Sequence, residues 1–321
     1  MTIADIIEAR RRISPHVRRT PLLPSAWLSA LSGADVRLKL ESLQHTNSFK
    51  LRGAVNATAA FAERTRAAAG PAGLIVTASA GNHGRAMAYA AERLGLRLVV
   101  FAPQSAPRAK LDHIARHGAD LRPAPTYEDS ECLAKAFAAE TGATYISPYS
   151  HPDVVAGAAT VAVEILEDWP DADMMLVPVG GGGLVSGVAS AARALAGRVD
   201  IVGVECEASP AFHEALKVGR IVEVEVHPTL ADGLAGNMDP ESITFALVRR
   251  FVDRMVLAPE AAIADAIRGL FEEERVVAEG AGATAVAALL SGLEVAGRRV
   301  AVVVSGSNID AALLARVLRR E

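Results

Sequence analysis

Along the chain, short runs of β-branched and other apolar residues alternate with longer alanine-rich stretches whose apolar positions recur every three or four residues. The runs predict strands at Leu74–Thr77, Leu98–Phe101, Thr144–Ile146, Met175–Val179, Ile201–Val204, Met255–Leu257 and Val300–Val304. The stretches between them predict helices at Gly84–Leu94, Pro107–His117, Asp129–Glu140, Val154–Glu167, Leu184–Ala196, Pro259–Glu274, Ala281–Ser291 and Ile309–Arg319. Parallel strands are covered on both faces by their crossover helices, so they read as continuous apolar runs; this alternation predicts a doubly wound α/β architecture. Ile3, Ile6, Ile7 and Arg10 fall at helical spacing, and Asp5 and Glu8 interrupt any apolar run, so the N-terminus predicts an amphipathic first helix rather than a signal peptide. The Ala-rich segment Arg64–Gly73 and the turn-rich segment Ser147–Asp153 each suit a passage between subdomains, which predicts two α/β lobes with a cleft between them.

Composition narrows the classes. With 321 residues, 51% of them hydrophobic and 22% charged, the chain can bury a large core. A net charge of −4, with neither sign gathered into blocks, predicts no nucleic-acid partner. Met174–Ala192 carries no charge and is long enough to span a bilayer, but Pro178 and four glycines interrupt it, so no membrane span is expected. Two cysteines, Cys132 and Cys206, without a C-x-x-C pair, suit a reducing cytoplasm.

In open α/β sheets ligands bind beyond the carboxyl ends of strands, and three such junctions are unusual. In L-I-V-T-A-S-A-G-N-H-G-R-A, Ser79, Gly81 and Asn82 offer donors between a strand and a helix; the plainer alternative makes Asn82 a left-handed turn residue. In V-P-V-G-G-G-G-L-V-S-G-V, Gly180–Gly183 let backbone N–H groups approach an anion at a helix N-terminus. The alternatives there are a flexible turn, or a dinucleotide fingerprint in which Gly181, Gly183 and Ser186 approximate G-x-G-x-x-G/A and Glu205 binds a ribose; Ser186 breaks that pattern. In V-A-V-V-V-S-G-S-N-I-D, Ser305 ends the last strand and Ser307 or Asn308 is suited to cap the last helix. A fourth segment, T-N-S-F-K-L-R-G, sets Lys50 between an aromatic residue and a leucine. Most lysines are solvated surface groups, whereas one serving as an amine nucleophile must be held at a fixed, partly desolvated point.

Taken together, the lysine, the asparagine loop, the glycine cradle and the strand-end hydroxyl resemble fold-type II pyridoxal-phosphate enzymes, related to the tryptophan synthase β subunit. The resemblance runs from about Ile3 to Leu318. Within that group the chain is similar to the threonine and serine ammonia-lyases (dehydratases), through L-K-L-E-S-L-Q-H-T-N-S-F-K-L-R-G-A, A-D-G-L-A-G and E-G-A-G-A. The resemblance implies two doubly wound α/β domains with the active site in their cleft. The expected division is residues 1–63 and 150–321 as the large pyridoxal-phosphate-binding domain, with 64–149 inserted as the small one.

By resemblance, Lys50 forms the Schiff base with pyridoxal phosphate and shuttles the Cα proton, Phe49 walls the cofactor, and Asn82 bonds the ring 3′ oxygen. Gly180, Gly181, Gly182, Gly183 and Leu184 hold the phosphate, Gly233 packs on the ring, and Ser305 partners the pyridine nitrogen. Ser79, Ala80, Gly81, Asn82 and His83 bind the substrate carboxylate, His83 in a supporting role. A neutral hydroxyl cannot keep that nitrogen protonated as a carboxylate would, so prompt loss of a β-substituent is favoured over a long-lived carbanion.

The implied reaction is β-elimination of water from L-threonine or L-serine, giving a 2-oxo acid and ammonia. Alternatives are the same chemistry on 3-hydroxyaspartate, phenylserine or a hydroxyectoine-derived amino acid; a nicotinamide (NAD) dehydrogenase; and a non-catalytic cofactor sensor. Racemases of the family carry a second serine where this chain has Ala80, so racemisation is expected to be poor. The family's cation site pairs a glutamate with an acidic residue six positions later; Glu205 matches the first and Ala211 stands at the second, so no metal is expected. Glycine is common where this chain has Asn47. The chain ends at Glu321 without room for a regulatory domain, which points to a catabolic role. A homodimer or homotetramer in the cytoplasm is expected.

Overall fold

In the computed structural model, which describes residues 1–67 and 73–320, the apolar runs become strands of two separate sheets. The strands are β1 (Leu22–Pro24), β2 (Asp35–Leu40), β3 (Leu74–Ala78), β4 (Arg97–Pro103), β5 (Asp120–Ala124), β6 (Thr144–Tyr145), β7 (Met174–Pro178), β8 (Asp200–Cys206), β9 (Arg254–Ala258) and β10 (Arg299–Val304). All seven predicted runs are among them, while β1, β2 and β5 lie outside the predicted set. In β2, Asp35-Val36-Arg37-Leu38-Lys39-Leu40, charged residues alternate with apolar ones, so the strand shows period two rather than a continuous run. Val36, Leu38 and Leu40 enter the core, while Lys39, fully buried on the other face, donates to Glu164 Oε2 and to the Thr20 carbonyl, each at 2.6 Å.

The described chain divides into two compact units, each with its own core. The first holds Met1–Arg18 and Lys50–Ala158, the second Arg19–Phe49 and Ala159–Glu321. In the first, four parallel strands run in the order β5-β4-β3-β6, with an apolar core including Leu51, Val55, Ile75, Met87, Val100 and Ile146. In the second, the order is β1-β2-β10-β7-β8-β9, parallel throughout except that β1 pairs antiparallel with β2.

These limits differ from the expected domains, which kept residues 1–63 with the larger part. The reason is local packing. The first helix, Ile3–Ile13, lies on the helix Lys50–Ala67: Ile13 shares a core with Leu51 and Ala54, and Arg11 and Arg12 reach Glu63 at 2.8 and 2.7 Å. That first helix buries Ile6, Ala9 and Ile13 and leaves Ile3 and Ile7 exposed, so its apolar stripe is turned from the one Ile3 and Ile7 predicted. Of the Arg64–Gly73 passage, residues 68–72 lie outside the described residues, and Arg64–Ala67 close the helix. The Ser147–Asp153 turn leads into the helix Pro152–Asp168, within which one unit ends at Ala158.

The helix Lys50–Ala67 is buried over most of its circumference, so it shows no amphipathic stripe. It crosses the start of Pro152–Asp168 at two glycines. A Cβ on Gly53 would lie 2.8 Å from the Val154 carbonyl oxygen, and one on Gly157 would lie 2.4 Å from the Arg52 carbonyl oxygen. Only hydrogen-sized side chains permit that approach.

The segment leading to Lys50 turns at Asn47, which has φ +59°, the left-handed region where glycine or asparagine is tolerated. This accounts for asparagine standing where glycine is common. Its N–H donates to the Gln44 carbonyl at 2.8 Å, its carbonyl accepts from Ser307 N–H at 2.9 Å, and its amide reaches Asn308 at 3.3 Å. Asn47→Gly is therefore expected to lie closer to the parent's stability than Asn47→Ala, which should lose about 1 kcal/mol because its Cβ is strained at positive φ. Chemical denaturation of the two variants gives the comparison.

Candidate active site

In the first unit the chain runs from β3 outward to β4 and β5, then returns to β6 on the other side of β3. The carboxyl ends of β3 and β6 thus flank a topological switch point, where a crevice forms. The loop after β3 is Ser79–Gly81, and the segment after β6 contains Ile146 and Pro148. Lys50, the first residue of its helix and half-buried, donates from Nζ to the Pro148 carbonyl at 2.9 Å. It is a fixed lysine rather than a solvated one, and it sits at a helix N-terminus, where the helix dipole opposes positive charge.

Asn82 is the first residue of the helix Asn82–Leu94 and does not have positive φ, so the left-handed alternative is set aside. The N-cap is Gly81, which has no side chain with which to cap, and a helix N-terminus without a side-chain cap suits an anion. Gly81 N–H bonds Ser79 Oγ at 3.1 Å, and a Cβ on Gly84 would lie 2.2 Å from the Ser79 carbonyl oxygen; the loop closes tightly onto its helix. Ala80 is half-buried in that loop.

His83 is buried beneath it. Thr77 Oγ1 donates to the Ile146 carbonyl at 2.7 Å and lies 3.0 Å from His83 Nε2. Since the only hydroxyl proton of Thr77 goes to Ile146, Nε2 is the protonated nitrogen and Thr77 accepts from it. Nδ1 is left buried without a hydrogen-bond partner. Burial first, and the nearby Lys50 second, hold the imidazole well below its ordinary pKa, so His83 is neutral at neutral pH. Its Nε2–H is spent on Thr77, in keeping with a supporting role.

The second unit has its own switch point. The chain passes from β7 to β8 and β9 in one direction, whereas β10 pairs on the opposite side of β7. The tetraglycine turn follows β7 and Ser305 follows β10, so neighbouring strands deliver both. Gly182 is the N-cap of the helix Gly183–Leu195, with φ +81°, a conformation that requires glycine. A Cβ there would meet Phe212 Cζ at 2.5 Å, and one on Gly180 would meet the Leu234 Cα at 2.9 Å. A turn that admits no Cβ at Gly180 or Gly182, at a helix N-terminus without a side-chain cap, fits a phosphate group.

Ser305, one residue past β10, is buried, and its Oγ donates to the Ala281 carbonyl at a long 3.3 Å. Gly233 packs at the same place: a Cβ on it would be 3.2 Å from Ala281 Cβ. The E-G-A-G-A motif is thereby explained. A Cβ on Gly280 would lie 2.0 Å from the Leu230 carbonyl oxygen and one on Gly282 2.2 Å from the Gly306 carbonyl oxygen, so the helix Gly280–Leu290 begins in contact with both the A-D-G-L loop and the Ser305 turn. Phe49, half-buried, donates its N–H to the Ser305 carbonyl at 3.0 Å.

Ser307 and Asn308 do not cap the last helix. Asp310 does, accepting from Ala312 and Leu313 N–H, while Ser307 Oγ bonds the Ser42 carbonyl at 3.0 Å and Asn308 the Thr46 carbonyl at 3.0 Å. Both residues thus anchor the segment that precedes Lys50. Two further participants carry no sequence signal: Thr244, whose hydroxyl donates to the Gly181 carbonyl at 2.8 Å, and Pro148, which acts through a backbone carbonyl. No side-chain pattern advertises a main-chain acceptor.

Glu205 does not offer itself to a ribose. It is buried at the end of β8, and its two oxygens accept the Phe212 and His213 N–H groups at 2.7 and 2.8 Å. Burial pushes its carboxyl up to about 7, against the downward pull of those two donors. Cys132 and Cys206 are both free. Among the described residues no helix is long and apolar enough to cross a membrane.

The family described as pyridoxal-phosphate dependent enzymes matches residues 13–306. Among curated proteins, an L-threonine ammonia-lyase of Thermotoga maritima is 41% identical over 321 residues, covering 100% of this chain and 79% of that protein. An L-threo-3-hydroxyaspartate ammonia-lyase of Saccharomyces cerevisiae is 36% identical, covering 96% and 94%. Among solved structures, a threonine deaminase from T.th. superposes with a TM-score of 0.87 at 35% identity, covering 97% of this chain and 99% of that one.

Proposed function

Because the chain belongs to the pyridoxal-phosphate-dependent enzymes, we propose that it eliminates water from a β-hydroxy amino acid, L-threonine or L-serine first, to give a 2-oxo acid and ammonia. The observation that carries this reading is Ser305: the group at the mouth of β10 is a neutral hydroxyl on a long, weak bond, free to turn toward a ring nitrogen. When bound, pyridoxal phosphate supplies a conjugated sink for the electron pair left at Cα. A hydroxyl at that nitrogen keeps the sink modest, which suits departure of a β-substituent over racemisation.

Lys50 would hold the cofactor through Nζ, and the same Nζ, when free, would accept the Cα proton of the substrate. As the Cα–H and Cβ–O bonds break, the hydroxyl leaves as water at the net expense of the proton removed from Cα, and hydrolysis of the released enamine consumes one water to give the 2-oxo acid and ammonia. Gly180–Gly183 and Leu184 hold the cofactor phosphate. Asn82 and Ser305 orient the ring, and Phe49 and Gly233 wall it. The uncapped turn Ser79–His83 takes the substrate carboxylate through backbone N–H groups, which fixes the Cα–H bond relative to the ring. By resemblance the protein is a homodimer or homotetramer, and its two free cysteines suit a reducing cytoplasm.

The test is a panel of β-hydroxy amino acids given to the purified holoenzyme: both enantiomers of threonine and serine, 3-hydroxyaspartate and phenylserine. Equimolar 2-oxo acid and ammonia from an L-substrate is the expected result. Failure of every substrate, or inversion at Cα without ammonia, removes the proposal.

A further inference from the structure

The helix Ala211–Val218 begins at Pro210, which has no side-chain acceptor for the orphan N–H groups of the first turn. Glu205 supplies it from β8: one oxygen takes Phe212 N–H at 2.7 Å and the other His213 N–H at 2.8 Å. Such a carboxylate fixes the first turn in position and rotation, since both oxygens must be satisfied at once. The residue so fixed is Phe212, fully buried, whose ring closes the space where a Cβ on Gly182 would stand. A second support arrives from Thr244, through the hydroxyl bond to the Gly181 carbonyl and a Cβ at 3.0 Å from that same space. Ser242 Oγ lies 2.7 Å from Thr244 Oγ1 and holds it in turn. The glycine turn, whose glycines leave it pliable, is thus stiffened from behind by two side chains it does not itself contain.

We propose that Glu205 is a positioning residue for the cofactor's phosphate, acting through Phe212 on the Gly181–Gly182 turn. The proposal rests on the reading of Gly180–Gly183 as the phosphate cradle. Nests of backbone N–H groups bind anions in proportion to how well they are preorganised, so loosening the ring behind Gly182 lowers affinity without touching the reacting atoms. In Glu205→Gln one oxygen becomes an amide nitrogen that faces an N–H donor, so one of the two bonds is lost and the turn loosens.

Equilibrium dialysis of the whole chain tests this, with pyridoxal phosphate and with pyridoxal, which lacks the phosphate. Glu205→Gln and Phe212→Leu are each expected to weaken pyridoxal phosphate binding by about tenfold and to leave pyridoxal binding unchanged. The double variant should bind no more weakly than Phe212→Leu alone, because both act along one path. At saturating cofactor, kcat should return to within about twofold of the parent enzyme. Gly182→Ala distinguishes the cradle from its support. If this variant keeps the parent's affinity for pyridoxal phosphate, the cradle reading fails; if it weakens binding while Glu205→Gln and Phe212→Leu do not, or if their effects add, the positioning role fails. Should Glu205→Gln not fold, Phe212→Leu, which keeps an apolar side chain in place, decides the matter alone.

Discussion

Lys50→Ala is expected to lower 2-oxo acid formation by at least about 10³-fold, because in the proposed mechanism it removes both the amine that joins the cofactor and the base that takes the Cα proton. The fold should survive. Lys50 is half-buried at the first position of its helix, and the substitution removes its bond to the Pro148 carbonyl. Giving up a hydrogen bond at a partly exposed position costs on the order of 1 kcal/mol, against a total stability of roughly 5–15 kcal/mol. Circular dichroism should therefore give a melt close to the parent's, while the visible absorbance of the lysine-linked cofactor disappears. Lys50→Arg should be equally inactive, since a guanidinium cannot shed a proton to become the nucleophile. Substantial turnover by either variant, with cofactor present, would mean that another amine does the work.

The parts of the fold legible in the sequence are those whose burial is two-sided. β7 is apolar throughout and β10 is apolar after Arg299, and each is followed by a chemically conspicuous turn, so both strand and junction can be read directly. β2 escapes such a reading because its charged residues carry structure: Lys39 is buried and neutralised by Glu164, a partner 125 residues away that no local pattern signals. The helix Ile243–Phe251 escapes it for a related reason. Its value to the cradle lies in Thr244, which a window along the chain shows only as one more polar residue. Candidate site residues are easier, since Lys50, Asn82, Gly180–Gly183 and Ser305 each sit where a strand hands over to a helix or in a motif of its own. The layer behind them is not legible in this way. Phe212, Pro148, Ala281 and the Asn47–Asn308 pair act through a ring face, backbone groups or a turn, all of which depend on tertiary approach rather than residue type.

That dependence on close approach sets the second large effect. Gly157→Ala is expected to destabilise the protein by roughly 3 kcal/mol or more and to reduce cofactor occupancy with it. The added Cβ would stand 2.4 Å from the Arg52 carbonyl oxygen and 2.7 Å from the Gly53 Cα. These neighbours are backbone atoms, so no flexible side-chain tip can yield; the two helices must separate. The helix that has to move begins at Lys50, two residues before the point of collision. Its displacement shifts the amine from the Pro148 carbonyl, and a shift of this kind at the reacting group is costly to rate. Gly197→Ala provides the control. Gly197 has φ +62° and nothing within 4 Å of its would-be Cβ, so only the left-handed strain of about 1 kcal/mol applies. Thermal melts of the two variants, with cofactor content measured on the same samples, should rank Gly157→Ala well below Gly197→Ala in both. Equal melts, or full cofactor occupancy in Gly157→Ala, would show that the crossing at Gly53 and Gly157 does not govern where Lys50 stands.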